Sequence, residues 1–275
     1  MTILLVNDDG INAPGLRCAA ECLRLLDTVV VCAPDREQSG MGSSLSLQGP
    51  VRAWPTQNFP AGIQAFTIQG TPADCAILAL ECLIKNKVDL VVAGINAGAN
   101  MGDDLFISGT VGAALQGYFR GIPSIAISVA SQRNVDFNGA GVVLTALANT
   151  VLRNKNTLYP QTPETKINRP PLLNINVPNL PANQIQGISI SRLSRRVYSD
   201  SVREEDDSLE RKWYWISHKE PIQDHEPGTD AWALRQHRAS ITPIAPNLTA
   251  LDFMPWLQSL EQEIETSIKS QTLSL

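Results

Sequence analysis

Histidine is scarce in this chain: three residues in 275, His218, His225 and His237, all late in the sequence. A histidine-rich metal site or a Ser-His-Asp triad would have to be assembled from that segment alone, so histidine chemistry is not expected at the centre of its function. Cysteine offers little more. Cys18, Cys22, Cys32, Cys75 and Cys82 are odd in number, fall in the first third and form no Cys-x-x-Cys pair, which argues against structural zinc. Cys18 and Cys22, four apart in a helical pattern, read as small apolar packing residues. Aromatic residues make up 5% of the chain and the net charge is -5, neither of which suits a protein that grips a nucleic-acid backbone by bulk electrostatics. No apolar stretch approaches the roughly 20 residues of a membrane span, and a first strand at Thr2 leaves no room for a signal peptide. A cytoplasmic location is expected, with neither a membrane nor a nucleic-acid polymer as partner. Familiar phosphate-binding loops are missing too. No Gly-x-x-x-x-Gly-Lys-Ser/Thr segment occurs, and Gly10 stands alone where a Gly-x-Gly-x-x-Gly fingerprint would follow the first strand. Asp8 is followed two places later by Gly10, not by a second Asp, which argues against an aspartyl-phosphate intermediate.

What the chain does have is a regular alternation of short apolar runs and helical patterns. Hydrophobic content of 43% over 275 residues can bury one large core, with an accessory lobe. Strands are predicted at Thr2–Val6, Thr28–Ala33, Val88–Ala93, Ser124–Val129 and Leu172–Val177. Between them, Leu16, Ala19, Ala20, Leu23 and Leu26 recur at helical spacing. A second helix is predicted from Thr71 to about Asn86, with Thr71 as N-cap, Pro72 at the first helical position and Asp74 at the third. Further helices are predicted over Val111–Phe119 and Ala140–Arg153. Continuous β-branched runs separated by helices indicate a parallel sheet covered on both faces, so the fold class is α/β and doubly wound.

The character changes after Pro178. Residues 178–250 hold many prolines, the charge-dense stretch Arg203–Lys212 and the aromatic run Trp213, Tyr214 and Trp215, without the earlier rhythm. This segment reads as β-hairpins and loops forming a lobe or dimerisation arm. Pro255–Ser270 places Trp256, Leu257, Leu260, Ile264 and Ile268 on one face of an amphipathic helix, which must pack on its own core or on a partner subunit. The expected division is a core over residues 1–178 and an extension over residues 179–275.

The chemistry concentrates after the strands. Asn7-Asp8-Asp9-Gly10 follows Ile3-Leu4-Leu5-Val6, and a buried strand ending in two carboxylates puts charge where an open α/β sheet binds ligands. Adjacent like charges are costly unless a cation or solvent compensates them. The site reading is a divalent metal; the plain reading is a solvated turn and N-cap, because Asp and Gly are ordinary turn residues. Three more small-residue segments share that edge: Asp35-Arg36-Glu37-Gln38-Ser39-Gly40, Gly94-Ile95-Asn96-Ala97-Gly98-Ala99-Asn100 and Ser108-Gly109-Thr110-Val111-Gly112-Ala113-Ala114. Asp, Asn and Ser are hard oxygen donors, suited to Mg²⁺ or Mn²⁺ and not to zinc. A helix opening with Ser108-Gly109-Thr110 offers N–H groups and hydroxyls to an anion. Metal plus anion cradle suits a phosphate ester and metal-activated water. Taken singly, Gly94–Asn100 reads equally as a turn-rich loop, Ser108–Thr110 as a plain N-cap and Ser39 as an ordinary loop serine.

Together with Gly70-Thr71-Pro72-Ala73-Asp74, these segments resemble the SurE family, the survival-protein E nucleotidases. Asn176-Val177-Pro178-Asn179-Leu180-Pro181 and Ser240-Ile241-Thr242-Pro243 extend the resemblance over about residues 1–245. The resemblance implies a Rossmann-like, mostly parallel sheet with a hairpin-rich C-terminal arm and a terminal helix. It implies a metal-dependent phosphatase acting on nucleoside 5′- and 3′-monophosphates, with one divalent cation (Mg²⁺ or Mn²⁺) per subunit. Carried over by position, Asp8, Asp9, Ser39 and Asn96 would be the metal ligands, with Asp8 and Asp9 catalytic. Gly40, Ser43, Asn100, Ser108, Gly109 and Thr110 would contact phosphate and substrate. A homodimer or homotetramer is implied, with the late hairpin and C-terminal helix exchanged between subunits. The chain departs from the family pattern at Ala93, where Ser is usual, and at Ile107, where Tyr is common; neither removes a proposed ligand. A broader phosphomonoesterase or exopolyphosphatase on the same site is the alternative enzyme, and a nucleotide- or metal-sensing module without turnover is the alternative class.

Overall fold

The computed structural model describes residues 1–154, 170–197, 200–206, 212–218, 222–223 and 226–272. In chain order the first half holds β1 (Thr2–Val6), α1 (Pro14–Leu23), β2 (Thr28–Pro34), β3 (Arg52–Thr56), β4 (Gln64–Gln69), α2 (Pro72–Leu78), β5 (Leu90–Ala97), α3 (Gly109–Phe119) and β6 (Ser124–Val129). The second half holds α4 (Asn138–Asn154), β7 (Leu172–Val177), β8 (Ile188–Ile190), β9 (Arg196–Val197), β10 (Asp200–Asp206), β11 (Lys212–His218), β12 (Ile222–Gln223), α5 (Asp230–Arg235), β13 (Ala239–Pro243) and α6 (Met254–Thr272).

Nine strands form one sheet in the order β3-β4-β2-β1-β5-β6-β7-β13-β8. The six central strands are parallel; β3 runs antiparallel to β4, and β13 antiparallel to β7. β1 shows why the expected doubly wound architecture holds. All five residues are buried, because successive side chains enter different layers. Ile3 and Leu5 join Leu16, Leu23 and Leu144 in the core under α1 and α4. Leu4 and Val6 join Ala76, Val111 and Ala114 in the core under α2 and α3. From β1 the chain proceeds through β2 and β4 to one side, then returns to place β5 on the other flank of β1. The topological switch point therefore lies between the carboxyl ends of β1 and β5.

The predicted start of α2 is present in full. Thr71 Oγ1 accepts the Asp74 N–H at 3.1 Å, and Asp74 Oδ2 accepts the Thr71 N–H at 2.9 Å. The α-helix ends sooner than expected, at Leu78, and passes into a π turn over Ala79–Leu83 in place of continuing to Asn86.

The segment after Pro178, expected as a lobe or dimerisation arm in the same domain or accessory to it, contributes to both compact units. β8 and β13 extend the main sheet, and Met1–Ile244 is one compact unit. The expected hairpin is β10 paired with β11 in a separate two-stranded sheet; residues 207–211 of the charge-dense stretch, and His225, lie outside the described residues. Ala245–Leu275 is a second unit. Its helix α6 carries Trp256, Leu257, Ile264 and Ile268, all exposed in the chain. Among the described residues no helix is long and apolar enough to cross a membrane.

Candidate active site

The end of β1 turns sharply into the switch point. Gly10 has φ +97°, a left-handed conformation, and a Cβ there would meet the Arg36 backbone carbonyl carbon at 3.1 Å. Asn7 Nδ2 donates to Gly10 O at 2.9 Å and closes the turn. Asp8 is buried, with 4% of its surface exposed, and Asp9 beside it is half-buried. Thr110 Oγ1 donates to Asp8 Oδ1 at 2.5 Å, and the Ala97 N–H at the end of β5 donates to Asp9 Oδ2 at 3.3 Å. Among the described residues no ion pair involves either carboxylate. The electrostatics follow from that. Burial raises the Asp8 carboxyl above its ordinary range, against the downward pull of the Thr110 hydroxyl. Asp9 is pushed up to about 7, first by burial and then by the neighbouring Asp8 charge.

The N-terminal end of α3 closes on the same pair. Ser108 is its N-cap and accepts the Val111 N–H at 3.2 Å, so the plain capping reading of this serine is correct as far as its lone pair goes; its hydroxyl proton remains available. Gly109 is needed for contact. A Cβ there would lie 2.9 Å from Asp8 Cβ and 3.0 Å from Asp8 Oδ2. Gly112, one turn on, sits against the loop after β2, where a Cβ would fall 2.3 Å from Gly42 O.

That loop reaches the site through its backbone. The Gln38 N–H donates to Asp8 O at 2.8 Å, and the Gly42 N–H donates to Ile107 O at 2.9 Å. Ser39 is exposed, with its hydroxyl on Glu37 Oε1 at 2.7 Å; Gly40 and Ser43 are exposed as well. Asn96 enters from β5 just after a register shift in the β5–β6 pairing. Its amide nitrogen donates to Gly98 O at 2.7 Å, which leaves Oδ1 as its unengaged oxygen among the described residues.

Asn100 occupies a more structural position than a substrate contact alone would require. Its N–H donates to Asn176 Oδ1 at 2.8 Å and its Nδ2 to Ser128 Oγ at 2.9 Å, while its carbonyl accepts from both Asn174 and Asn176 at 2.8 Å. Only the side-chain oxygen is left for a ligand. Two residues further on, the Gly102 N–H donates to Asp230 Oδ2 at 3.2 Å. Asp230 is fully buried and also accepts the N–H groups of Ser194 and Ala231.

The structure thus joins Asp8, Asp9, Gly109 and Thr110 by direct contact, and brings Asn96 and the Ser39 loop to the same edge. Ala93 is buried in the strand and Ile107 is exposed on the rim. Sequence reasoning gave no role to Glu37, whose charge adds to the upward pressure on both aspartates, nor to Asp230, Asn174 and Asn176. Glu37 and Asn176 sit inside segments already singled out; Asp230 and Asn174 carry no local signal. A cavity of about 790 Å³ lies elsewhere, at the opposite edge of the sheet around Lys87, Asp89 and Pro123, where Arg120 is already paired with Glu81 at 2.7 Å. The switch point is the stronger candidate because its carboxylates lack compensating charge, a criterion of more weight than volume.

The donor set fits a hard divalent cation. Two carboxylates lie at this edge, with the Asn96 amide oxygen and the Ser39 hydroxyl on loops that reach it, a set of oxygen donors without histidine or cysteine. Asn7 Oδ1 and Asp35 Oδ1, on the two loops that meet here, are buried without hydrogen-bond partners, so the edge is rich in oxygen and poor in donors.

A doubly wound α/β fold with an acidic site at the switch point and a helix N-terminus against it defines a class of ligand-binding enzyme folds. The family model described as survival protein SurE matches residues 3–200. Relatives named 5′-nucleotidase SurE include that of Moorella thermoacetica, 41% identical over 90% of this chain and 92% of its own. Another, from Nitrosococcus oceani, is 40% identical over 94% and 99%. The crystal structure of the SurE protein from Aquifex aeolicus superposes with a TM-score of 0.76 at 37% identity, covering 95% of this chain and all of that one. This chain belongs to the SurE family.

Proposed function

We propose that the chain is a cytoplasmic, divalent-metal-dependent 5′-nucleotidase that hydrolyses nucleoside 5′- and 3′-monophosphates to nucleoside and phosphate. The observation that carries this reading is the contact between the uncompensated Asp8–Asp9 pair and the first turn of α3 at the switch point. The names of the relatives support the nucleotidase part. Asp8, Asp9, Ser39 and Asn96 would hold one Mg²⁺ or Mn²⁺. When bound there, such a cation supplies Lewis-acid polarisation of a phosphoryl oxygen and a lowered pKa for water.

The chain's own residues supply the rest. Thr110 fixes Asp8 through its hydroxyl, so that one carboxylate keeps a single orientation. Asp9, whose Oδ2 accepts the Ala97 N–H, would hold the cation and orient the attacking water. The α3 end, with the Gly109 backbone and the Ser108 hydroxyl proton, presents positive potential to the phosphate. Gly40, Ser43 and the Asn100 side-chain oxygen line the route by which the rest of the substrate approaches.

Assembly belongs to the same reading. The hairpin β10–β11 exposes Trp213, Tyr214 and Trp215, and α6 exposes its apolar face, which supports a homodimer or homotetramer built through the extension after Pro178.

Phosphate release from nucleoside 5′- and 3′-monophosphates, measured with Mn²⁺ or Mg²⁺ and with chelator, tests the proposal. Metal-supported release is expected, with Asp9→Asn reducing turnover about a hundredfold, the scale of roughly 2.7 kcal/mol. Undiminished activity in chelator, or an acid-stable phosphorylated Asp8 or Asp9 after quenching, would overturn it.

A further inference from the structure

The helix that follows the acidic turn carries a second, chemically opposite group. Cys18 and Cys22 lie one turn apart on α1, both half-buried, on the side that meets α4. Cys18 Sγ donates to Phe137 O at 3.5 Å. Facing both is Gly141 of α4. A Cβ at that position would fall 2.8 Å from Cys22 Sγ and 3.2 Å from Cys18 Sγ, so both sulfurs border one small space that glycine keeps open.

Residues four apart on a helix hold their Cβ atoms about 5–6 Å apart. A disulfide needs about 3.5–4.5 Å, so a sulfur–sulfur bond is a poor fit to this spacing. An atom bonded to both sulfurs fits better, because two metal–sulfur bonds of about 2.3 Å each span such a gap. Thiolates select soft cations, whereas the oxygen-only set at the sheet edge selects hard ones. We propose that Cys18 and Cys22 form a two-thiolate binding site for a soft, two-coordinate d¹⁰ cation of the Cu⁺ and Hg²⁺ class. With HgCl₂ as probe, each thiol releases its proton to solvent, two chlorides leave and two mercury–sulfur bonds form, with no change of oxidation state. The adduct of two thiolates and Hg²⁺ is neutral, which limits its desolvation cost in a half-buried position. With the two side by side, the Cys22 thiol is lowered and the Cys18 thiol raised, so Cys22 is the first of the two to ionise.

Cys82 is exposed while Cys32 and Cys75 are buried, so Cys82→Ser is the parent for the test. Native mass spectrometry after HgCl₂ addition and challenge with excess glutathione should show one mercury per chain and two protons lost. Loaded protein should protect Cys18 and Cys22 together from iodoacetamide, a readout that needs no further variant. Cys18→Ser and Cys22→Ser should each hold mercury at least about a hundredfold more weakly, the scale of a lost chelate. Gly141→Ala should weaken retention at least tenfold while both thiols of the unloaded chain still react with a monothiol reagent, because its Cβ takes the shared space and displaces the sulfurs from it without removing either thiol. Retention equal to the parent in either serine variant, two mercury ions per chain, protection of one cysteine alone, or indifference to Gly141→Ala would overturn the proposal.

Discussion

The Thr110 hydroxyl sits 2.5 Å from Asp8 Oδ1 and ties the turn after β1 to the first turn of α3, across 102 residues of sequence. A short bond of this kind to a buried carboxylate holds both orientation and ionisation.

Removing it should be costly in two ways. Thr110→Val keeps the shape of the side chain and deletes the donor, so Asp8 loses a partner while staying buried. Stability at neutral pH should fall by about 1.5–3 kcal/mol in urea titrations. The acid limb of the pH–activity profile should move to higher pH, because the bond no longer favours the charged form. An unmoved limb would mean that Asp8 does not titrate in the active range.

Asp9 gives a stability prediction with a defined sign. Its carboxyl is raised from an ordinary value of 3.8 to about 7 in the folded chain. Between those values the native state binds more protons than the unfolded state, so stability falls as pH rises from about 4 to about 7 and then levels off. In chelator-treated protein, the urea midpoint should decline through this window. Asp9→Asn should remove its share of the decline and be more stable than the parent at about pH 8, while losing turnover. Saturating Mg²⁺ or Mn²⁺ should restore the parent at that pH. Midpoints that rise with pH across the window in chelator would contradict the charge arrangement.

Gly109 tests the closeness of the helix end. Alanine is the better helix former by up to about 1 kcal/mol, yet its Cβ would enter the space of Asp8 and lie 3.1 Å from Pro72 Cγ. Overpacking of this kind costs about 1–3 kcal/mol. Gly109→Ala should therefore be less stable than the parent, with turnover reduced at least tenfold and helix content unchanged by circular dichroism. A stabilised, fully active variant would show that α3 can withdraw from the carboxylates at no cost.

Asp230 is the counterpart far from the chemistry. It accepts three backbone N–H groups, and Asp230→Ala would leave all three buried without an acceptor. A loss of about 3 kcal/mol or more is expected in thermal or urea unfolding. Asp230→Asn, which keeps one acceptor oxygen, should lose less. Equal stability of the two variants would show that the carboxylate is not what holds Gly102 and Ser194.

The sequence was legible where a structure follows from neighbours. β1, β2, β5, β6 and β7 are continuous apolar runs because both faces are covered, and the Thr71–Asp74 cap is spelled out in four residues. The Asp8–Asp9 turn and the Asn96 loop could be placed because loops after parallel strands share an edge. β3 and β4 were missed for a physical reason. Arg52–Thr56 is an outer strand with exposed side chains and a proline, so it lacks the buried pattern that marks the central strands. β13 is not marked as a strand of the main sheet by its own sequence, because its partner β7 lies more than sixty residues away and no local pattern announces such a pairing. Asp230 was invisible for the same reason: the N–H groups of Gly102 and Ser194, both distant in sequence, converge on it only after folding.

The clamp formed by Asn100, Asn174, Asn176 and Asp230 bears on how the molecule is made. By the time Thr110 has left the ribosome, all four oxygen donors proposed for the cation have been synthesised. The residues that fix the Asn100–Gly102 loop have not; they arrive with β7 and α5. A nascent chain halted between these points would carry every reactive group and no fixed geometry among them. Competence for catalysis is therefore a late property of synthesis, withheld until the far side of the sheet closes on a loop made more than a hundred residues earlier.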